Sequence, residues 1–395
     1  MTKVNMSKLE ELIEQYCPDG VEYVKIGEIA QVGTGSSNGN EAIEDGIYPF
    51  FVRSQIIKKK DTYEYDEEAI IIPGEGGIGD IFHYINGKYA LHQRVYRIHF
   101  ISPHINVKFA FYYMKSAFKK FIMAKAVSST VSSIRKPMIE GFSLPIPPLP
   151  VQEEIVRILD TFTELQAELQ AELQKRKQQY NYYRDNLLAF EDKKDIQWKH
   201  LGDICDIKGR IGFRGYTRED QVKEGEGALS LSPSNIQDGQ MEYSKGTYIT
   251  WSKYDESPEI KTYNGDIIFC KTASVGKVAV VKNLPYKATI NPQLVVLKNI
   301  QCSASFLAYV LETNSIQSKV ISMAGVGSVP NISQKALSDI YIPIPSLYEQ
   351  QRIVDILDMF NALANDLAAG LPAEIEKRRL QYEYYRDKLL TFKRK

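Results

Sequence analysis

Residues 145–160 read PIPPLPVQEEIVRILD, and residues 343–358 read PIPSLYEQQRIVDILD. The two stretches agree at ten of sixteen positions with a constant offset of 198. A second pair, KRKQQYNYYRDNLLAF (175–190) and KRRLQYEYYRDKLLTF (377–392), agrees at eleven of sixteen positions with an offset of 202. The residues that precede each matching segment agree only at scattered positions. The chain therefore contains two copies of one unit, in which a variable head is followed by a constant segment.

The constant segment is predicted to be a long helix with a coiled-coil seam. Residues 151–190 contain neither Gly nor Pro, and their apolar residues recur in alternating steps of three and four. One extra step of four falls inside ELQAELQAELQ (164–174), which indicates a stutter. In the second copy, the segment GLP (370–372) predicts a break or kink. The predicted seam residues are Phe162, Leu165, Leu169, Leu173, Tyr180 and Tyr183 in the first copy, and Phe360, Leu363, Leu367, Tyr382 and Tyr385 in the second.

Such a helix needs a partner, because alone it would leave an apolar stripe about 60 Å long in water. We predict that the two copies within one chain pair as an antiparallel coiled coil with pseudo-two-fold symmetry, although pairing between two chains fits the same periodicity. The predicted fold class is α+β, with two similar mixed α/β heads separated by two long helices. The predicted boundaries are 1–147 for the first head, 148–190 for the first helix, 191–345 for the second head and 346–395 for the second helix.

The heads are predicted to be rich in β-strands. Apolar, β-branched runs predict strands at 69–73, 90–100, 266–270, 277–281 and 293–297, and amphipathic periodicity predicts helices at 109–123 and 304–321. The pair Asn86-Gly87 predicts a turn between two strands. Residues 74–79 match the pattern G-x-G-x-x-G, but strands rather than a helix are predicted to follow. This segment is therefore interpreted as a tight turn and not as a dinucleotide site.

Several kinds of chemistry have no support in the sequence. The four cysteines form no C-x-x-C pair and the five histidines lack ligand spacing, so neither a disulfide framework nor a metal site is predicted. The nearest approach to the Asn/Asp-Pro-Pro-Tyr/Phe motif of base-flipping methyltransferases is NPQL (291–294), which fails at its last two positions. The first residues are polar, and no apolar run approaches the ~20 residues of a membrane span. A cytoplasmic protein is expected.

The charges are segregated along the chain, although 49 basic and 49 acidic residues give a net charge of zero. Residues 81–139 contain ten Lys or Arg and no acid, and residues 267–338 contain seven Lys and one acid, Glu312. Basic side chains interleaved with hydroxyl and amide groups can bind phosphates and base edges. The pattern favours a nucleic-acid partner for both heads. The candidate DNA-binding residues are Arg53, Ser54, Gln55, Lys58, His92, Gln93, Arg94, Ser129, Thr130, Ser133 and Arg135 in the first head, and Lys208, Arg210, Arg214, Tyr216, Arg218, Lys271, Thr272, Asn291, Gln293, Ser328, Asn331 and Ser333 in the second.

The constant segments carry a family resemblance. Both copies contain Q-x-x-I-V-x-I-L-D-x-F and Q-Y-x-Y-Y-R-x-x-L-L-x-F, and the first adds tandem Q-A-E-L blocks. In these motifs the chain resembles the specificity (S) subunit of type I restriction-modification systems. The resemblance implies a non-catalytic subunit that binds no cofactor itself. Each head would read one half of an asymmetric bipartite site in double-stranded DNA. The helices would set the gap between the halves and dock two modification (methyltransferase) subunits that bind S-adenosylmethionine. Restriction subunits would join that complex.

Two other function classes remain open at this point. A structural adaptor, with two protein-binding heads on a coiled-coil spacer and no DNA, is favoured by the zero net charge and disfavoured by the two basic tracts. An enzyme with its own catalytic site is the third possibility, and no motif supports it.

Overall fold

The computed structural model describes residues 6–125, 133–191, 193, 196–210, 215–325, 329–365 and 370–395. The chain divides into two compact units. Unit 1 comprises Met1–Glu168 together with Ile375–Lys395, and unit 2 comprises Leu169–Glu374. Each unit therefore combines one head with parts of both helical segments, whereas the predicted boundaries assigned one helix to each head.

Unit 1 is built on a six-stranded sheet. Its order is β2-β7-β5-β6-β3-β4, and all neighbours are antiparallel except β3 and β6. The elements are α1 (Met6–Tyr16), β1 (Tyr23–Lys25), α2 (Ile26–Ile29), β2 (Ala30–Thr34), β3 (Tyr48–Phe51), β4 (Lys58–Lys60), β5 (Tyr65–Pro73), β6 (His83–Leu91), β7 (Val95–Phe100), α3 (Val107–Lys125), α4 (Lys136–Glu140), β8 (Ser143–Pro145) and the first part of α5 (Leu149–Leu187).

The central strand β5 is buried on both faces. Ile70 and Ile72 pack into the main core of unit 1, while Ala69 and Ile71 pack with Tyr89 in a smaller cluster on the other face. A strand buried on both faces reads as a continuous apolar run, which is why residues 69–73 are recognisable from the sequence alone.

Unit 2 repeats this architecture with its sheet divided. Its two four-stranded sheets have the orders β10-β19-β16-β17 and β11-β15-β12-β18. The elements are β9 (Gln197–His200), α6 (Leu201–Ile204), β10 (Asp206–Gly209), β11 (Gln221–Val222), β12 (Ala228–Leu231), β13 (Ile236–Gln237), β14 (Gln240–Met241), β15 (Thr247–Ile249), α7 (Trp251–Asp255), β16 (Ile267–Cys270), β17 (Val278–Val280), β18 (Ala288–Ile290), β19 (Leu294–Lys298), α8 (Ala304–Glu312), α9 (Asn314–Met323), α10 (Gln334–Ser338), β20 (Tyr341–Ile344), α11 (Leu347–Asn365) and the start of α12 (Leu371–Leu389).

The division of the second sheet has a simple origin. In unit 1, the single strand β6 pairs with β5 and also runs parallel to β3. In unit 2, β17 pairs with β16 and a separate strand, β18, runs parallel to β12. Residues 281–287 lie between β17 and β18, so they interrupt what is one continuous strand in the first head.

Three local predictions differ from the structure. Strand β6 runs straight through Asn86 and Gly87, which pair with Glu68 and Glu67, so the predicted turn at this point is wrong. The predicted strand 90–100 is instead broken into β6 and β7 by a turn at residues 92–94. The predicted helix 304–321 is likewise two helices, because Thr313 has an extended backbone between α8 and α9.

The long helices follow the prediction closely. Helix α5 spans Leu149–Leu187 without a break, against a predicted 148–190. In the second copy, α11 ends at Asn365 as described and α12 begins at Leu371, which agrees with the interruption predicted at residues 370–372. Residues 366–369, among them the predicted seam residue Leu367, lie outside the described part of the chain, as does the side chain of Leu363.

The same aromatic stack joins the helical segments in each unit. In unit 1, Phe162 stacks on Tyr385 with a centroid distance of 5.6 Å. In unit 2, Tyr183 stacks on Phe360 at 5.4 Å. The offsets of 198 and 202 make these two pairs equivalent, with the roles of the copies exchanged. The recurrence indicates that each unit uses the seam in the same way.

The rest of the predicted seam is less uniform. Leu173 and Tyr180 are buried in unit 2, whereas Leu169 is half-buried and Leu165 is 40% exposed. Tyr382 is half-buried and approaches the ring of Phe162 to 6.3 Å. Burial therefore varies along the seam, and the assignment of the exposed Leu165 to the scaffold or to subunit docking stays a prediction.

Identical polar contacts fasten each head to its helix. The buried Gln152 amide accepts from the Asn106 N–H at 2.8 Å and donates to the Pro147 carbonyl at 2.6 Å. Its equivalent, Gln350, accepts from the Ser303 N–H at 2.9 Å and donates to the Pro345 carbonyl at 2.8 Å. A buried amide that satisfies two backbone groups fixes the angle at which the helix leaves the head.

Eight residues after each glutamine, an aspartate makes a second contact between helix and head that recurs in both units. The Tyr112 hydroxyl donates to Asp160 at 2.7 Å in unit 1, and the Tyr309 hydroxyl donates to Asp358 in unit 2. Burial raises the pKa of both tyrosines, and the adjacent carboxylate raises it further.

We expect the Gln350→Leu substitution to lower the free energy of unfolding of unit 2 by about 2–4 kcal/mol, because it leaves a buried N–H and a buried carbonyl unpaired. Both tryptophans, Trp198 and Trp251, lie in unit 2, so urea unfolding followed by tryptophan fluorescence reports on this unit. The neighbouring Gln351→Leu variant is the control, since Gln351 is exposed, and a loss below about 0.5 kcal/mol is expected there. Equal losses in both variants would show that the buried amide has no special role.

Candidate nucleic-acid interface

Four segments of the first head meet at one place, which we call the first loop cluster: residues 53–55, 74–76, 92–94 and 133–135. They follow β3, follow β5, connect β6 to β7 and precede α4. The Gly74 N–H donates to the Arg94 carbonyl at 2.9 Å, and the Ile134 N–H donates to the Gly74 carbonyl at 2.7 Å. The structure thus brings together three of the candidate segments chosen from the sequence.

An acidic residue that the sequence reasoning missed lies at the centre of this cluster. The Glu75 carboxylate accepts from Arg53 Nη1 at 2.9 Å and from Arg94 Nη1 at 2.9 Å. Hydrogen bonds from Arg94 and then from Arg53 hold the pKa of Glu75 below its ordinary value. One carboxylate cannot neutralise two guanidiniums, so the group keeps a net positive charge and holds both arginines at the surface. The only sequence signal was the place of Glu75 inside the glycine-rich turn.

Other candidates in the first head support the loops. His92 is buried, and its Nδ1 accepts from the Arg94 N–H at 3.0 Å. Burial lowers the pKa of the His92 imidazole, and the nearby Arg53 and Arg94 lower it further, so the ring is neutral at pH 7. The Gln93 amide donates to Asn38 Oδ1 at 2.6 Å. These contacts order the turn that carries Arg94.

The remaining candidates of the first head are closer to solvent. The Ser54 hydroxyl donates to the Ile56 carbonyl at 3.0 Å. Gln55, Lys58 and Arg135 are exposed, and Ser133 is half-buried.

The second head contains an equivalent place, the second loop cluster, formed by residues 271–272, 291–293 and 331–333. The Lys271 N–H donates to the Gln293 carbonyl at 2.9 Å, and the Ile332 N–H donates to the Lys271 carbonyl at 2.9 Å. Lys271, Gln293 and Ile332 are displaced by 197, 199 and 198 residues from Gly74, Arg94 and Ile134. The backbone hydrogen bonds of the first cluster are therefore repeated in the second.

The side chains of the second loop cluster are of a different kind. The Thr272 hydroxyl donates to Asn331 Oδ1 at 2.7 Å, at the position where the first head has Glu75 and its arginines. The Asn291 side chain accepts from the Gln293 N–H at 3.0 Å and donates to Gln293 Oε1 at 3.1 Å. Amides and a hydroxyl occupy the place that charged groups occupy in the first head.

Arg210 is buried in the second head and makes hydrogen bonds there. Its side chain is 5% exposed, Nε donates to the Ile290 carbonyl at 3.1 Å, and Nη2 donates to the Thr289 hydroxyl at 3.2 Å. The guanidinium also lies over the Tyr216 ring at 5.4 Å. Burial lowers the pKa of Arg210 from its ordinary value. Its predicted role as a surface contact is replaced by a role in holding the strand that leads to Asn291.

The other candidates of the second head lie around these loops. Lys208 is half-buried on β10 with Nζ 3.8 Å from Asp206, and Arg218 is exposed. The Tyr216 hydroxyl accepts from Ser230 at 2.9 Å, and the Ser333 hydroxyl accepts from the Ala336 N–H at 3.0 Å as a helix cap. Four further candidates, Ser129, Thr130, Arg214 and Ser328, lie outside the described residues.

Several cations of the two basic tracts are paired with carboxylates in the folded structure. Arg97 pairs with Glu67 at 2.8 Å, and Lys108 pairs with Asp160 at 2.7 Å. In the second head, Lys298 pairs with Asp266 at 2.7 Å. A tract without acids therefore does not make a uniformly positive surface, because the fold brings carboxylates to it from other segments.

Within the described ranges, no group of three or more His, Cys, Asp or Glu residues is placed to hold a metal ion. The helices in the same ranges include none with the length and apolar character that a membrane span requires.

Comparison with known proteins identifies the family. The model of the type I restriction modification DNA specificity domain matches residues 18–176 and 193–377. The specificity subunit of the type I restriction enzyme EcoR124I/EcoR124II from Escherichia coli is 34% identical over 247 residues, which are 62% of this chain and 60% of that subunit. The match therefore spans less than two thirds of the length of this relative.

Two solved structures share the fold. A chain solved for complex assembly and conformational transition of the type I R-M system is 17% identical, with a TM-score of 0.60 over 94% of this chain and 98% of that one. The S subunit of the type I restriction-modification system from M. genitalium is 16% identical, with a TM-score of 0.54 over 94% and 97%.

The chain belongs to the family of the type I restriction modification DNA specificity domain, of which it carries two copies. Family membership confirms the resemblance and the α+β fold with two similar domains. A DNA specificity domain, present twice, favours a specificity subunit over the enzyme that was the third possibility.

We expect Arg210→Ala to lower the free energy of unfolding of unit 2 by about 2–4 kcal/mol, because it leaves a cavity and removes the donors to Ile290 and Thr289. Arg218→Ala is the matched control, since its side chain is exposed, and a change within about 0.5 kcal/mol is expected. Tryptophan fluorescence during urea unfolding measures both. An Arg210→Ala variant as stable as the unchanged chain would contradict the structural role of Arg210 inside the second head.

Proposed function

We propose that this chain is the DNA-reading subunit of a type I restriction-modification enzyme, and that each loop cluster contacts one half of an asymmetric bipartite site. One observation carries the proposal. The backbone hydrogen bonds around Gly74 recur around Lys271, while the side chains presented on them differ. Two domains that read two unlike DNA sequences need the same backbone arrangement with different side chains on it.

The side chains of the two loop clusters favour different bases in the two half-sites. Arginine makes bidentate contacts with O6 and N7 of guanine, whereas Asn and Gln do so with N6 and N7 of adenine. Arg53 and Arg94 in the first loop cluster therefore favour guanine. Gln293 and Asn331 in the second favour adenine. The lysines nearby, such as Lys58 and Lys271, suit phosphate contacts that set position without reading sequence.

The helical segments are proposed to pair within the chain as an antiparallel coiled coil that sets the gap between the two half-sites. The stacking of Phe162 on Tyr385 and of Tyr183 on Phe360 supports this arrangement. Unbroken helix through the Q-A-E-L blocks of α5 supports it further, since a helix resists compression along its axis.

Partner subunits complete the proposed enzyme in the cytoplasm. Two modification subunits would bind S-adenosylmethionine and transfer the methyl group, and restriction subunits would join them, while this chain would bind no cofactor. The zero net charge and the pairing of many surface cations with carboxylates support a need for partners. Cations that are already paired with carboxylates gain little from counterion release, so the partner subunits would supply many of the phosphate contacts.

Methylome sequencing tests the proposed function. A host without DNA methylation, given this chain and the modification subunits of its own system, is expected to acquire a non-palindromic motif with two unlike blocks. We expect Arg94→Ala to relax the first block and Gln293→Ala to relax the second, each by about 1–3 kcal/mol of discrimination. A palindromic motif, or a motif unchanged in both variants, would contradict the proposal.

Filter binding with random DNA, with and without the modification subunits, separates the adaptor from the DNA reader. The adaptor predicts no retention of DNA in either case.

Deletion of the tetrad Gln166–Leu169 tests the proposed spacer. Removing four residues shortens the helix by ~6 Å, which corresponds to at most ~2 base steps. We expect the methylated motif to keep both blocks and to change only the gap between them. The control is Gln166→Ala, which leaves the helix length unchanged and should leave the gap unchanged. A deletion variant that alters a block, or that keeps the original gap, would refute the spacer.

A further inference from the structure

We propose that Ile56 and Ile57, at the tip of the hairpin between β3 and β4, make apolar contact with the bases of the half-site that the first head reads. The inference rests on the proposed function and extends it to residues that no hydrogen-bonding pattern would select. It concerns the first head alone.

The tip is apolar and open to solvent. Ile56 is 74% exposed and Ile57 is 47% exposed, and their neighbours Gln55, Lys58 and Lys59 are exposed as well. A single exposed isoleucine is ordinary on a protein surface. Here two isoleucines follow one another at the end of a hairpin and form a small apolar point. The polar and cationic residues on either side of it are of the kinds that bind DNA.

The hairpin is held firmly at its base. Strand β3 pairs with β4 on one side and with β6 on the other. Below the tip, the Ser54 hydroxyl donates to the Ile56 carbonyl at 3.0 Å, and Arg53 is bound to Glu75 at 2.9 Å. The tip is therefore preorganised, and contact with a ligand would cost little conformational entropy.

The shared carboxylate places the tip beside the first loop cluster. Glu75 binds Arg53 and Arg94 together, so the hairpin that carries Ile56 starts at the same point as the turn that carries Arg94. A base edge read by Arg94 would lie next to the surface that the isoleucines cover.

The charge around the tip favours DNA as the occupant. Residues 52–60 contain four cations and no acid. Arg53 is paired with Glu75 and Lys60 with Glu41, while Lys58 and Lys59, next to the isoleucines, are exposed. Interfaces between proteins are depleted in lysine, whereas lysine next to an apolar point matches a base step flanked by phosphates. In the major groove, where arginine reads guanine, apolar side chains contact the methyl group of thymine. Lys58 and Lys59 also keep the edge strand β4 from pairing with another chain, and this second role is compatible with phosphate contact.

The second head has no such apolar point in the equivalent segment, residues 232–237, all of which the structure describes. The segment after β12 forms a short turn at Pro233–Asn235, and the next apolar residue, Ile236, is 1% exposed. The apolar contact is therefore specific to one half-site.

The test uses the complex of the full chain with its modification subunits and a duplex that carries the methylated motif. We expect Ile56→Ser and Ile57→Ser each to weaken specific binding by about tenfold to a hundredfold, which is the effect of exposing one buried isoleucine. The salt dependence of binding should stay unchanged, because an apolar contact releases no counterions. The Lys58→Gln Lys59→Gln double variant should instead reduce the salt slope by about 2.

Ile47→Ser is the matched control, because Ile47 is 73% exposed in the same head but lies at the other end of β3. It should bind DNA like the unchanged chain. Unaltered specific binding in the Ile56 and Ile57 variants would overturn the inference and leave the proposed function intact. Loss of complex assembly in those variants, seen by size-exclusion chromatography, would also overturn it, because it would assign the tip to a protein partner. Failure of the unchanged complex to bind the duplex would instead remove the proposed function itself.

Discussion

Helix α5 imposes the constraint on which the rest of the structure depends. Its first part buries Val151, Ile155 and Leu159 in the core of unit 1, and its second part buries Tyr180 in the core of unit 2. One unbroken helix therefore has to satisfy two separate cores. Each core can accept it only in one rotation and at one axial position, since a shift by one residue turns the apolar stripe by about 100°.

The repeated junctions make this constraint precise. Gln152 and Gln350 each satisfy one backbone donor and at least one backbone acceptor. Asp160 and Asp358 each accept from a tyrosine of the head. A head that kept this set of contacts could exchange the remainder of its surface without disturbing the helix. This explains how two heads with so little sequence in common share an architecture and the same attachment, although the sheet of the second head is divided.

The sequence predicts what is repeated and what is periodic. The two copies, the helical segments and the doubly buried strand β5 all follow from patterns that depend on packing alone. Side-chain contacts over long distances in the sequence were not predictable. Nothing in the local sequence joins Glu75 to Arg53 and Arg94, and nothing distinguishes the buried Arg210 from the exposed Arg218.

The turns were also not predictable from local sequence preference. Asn86-Gly87 has the composition of a hairpin turn, yet long-range pairing with β5 carries the strand through it. The true turn at residues 92–94 contains no glycine or proline, because its conformation is held by His92, whose ring accepts from the Arg94 N–H. Tertiary hydrogen bonds override local preference at both places, and the second of them is part of the candidate interface.

The electrostatics of the heads follow from the same long-range contacts. A guanidinium that is already paired with a carboxylate contributes less to phosphate binding, because forming the new contact breaks the old one. Its geometry, however, is fixed before DNA arrives, so less entropy is lost when it meets a base edge. Pairing of this kind lowers general affinity for nucleic acid and preserves discrimination between bases. Neutral net charge is therefore consistent with a subunit whose task is to read sequence while other subunits hold the duplex.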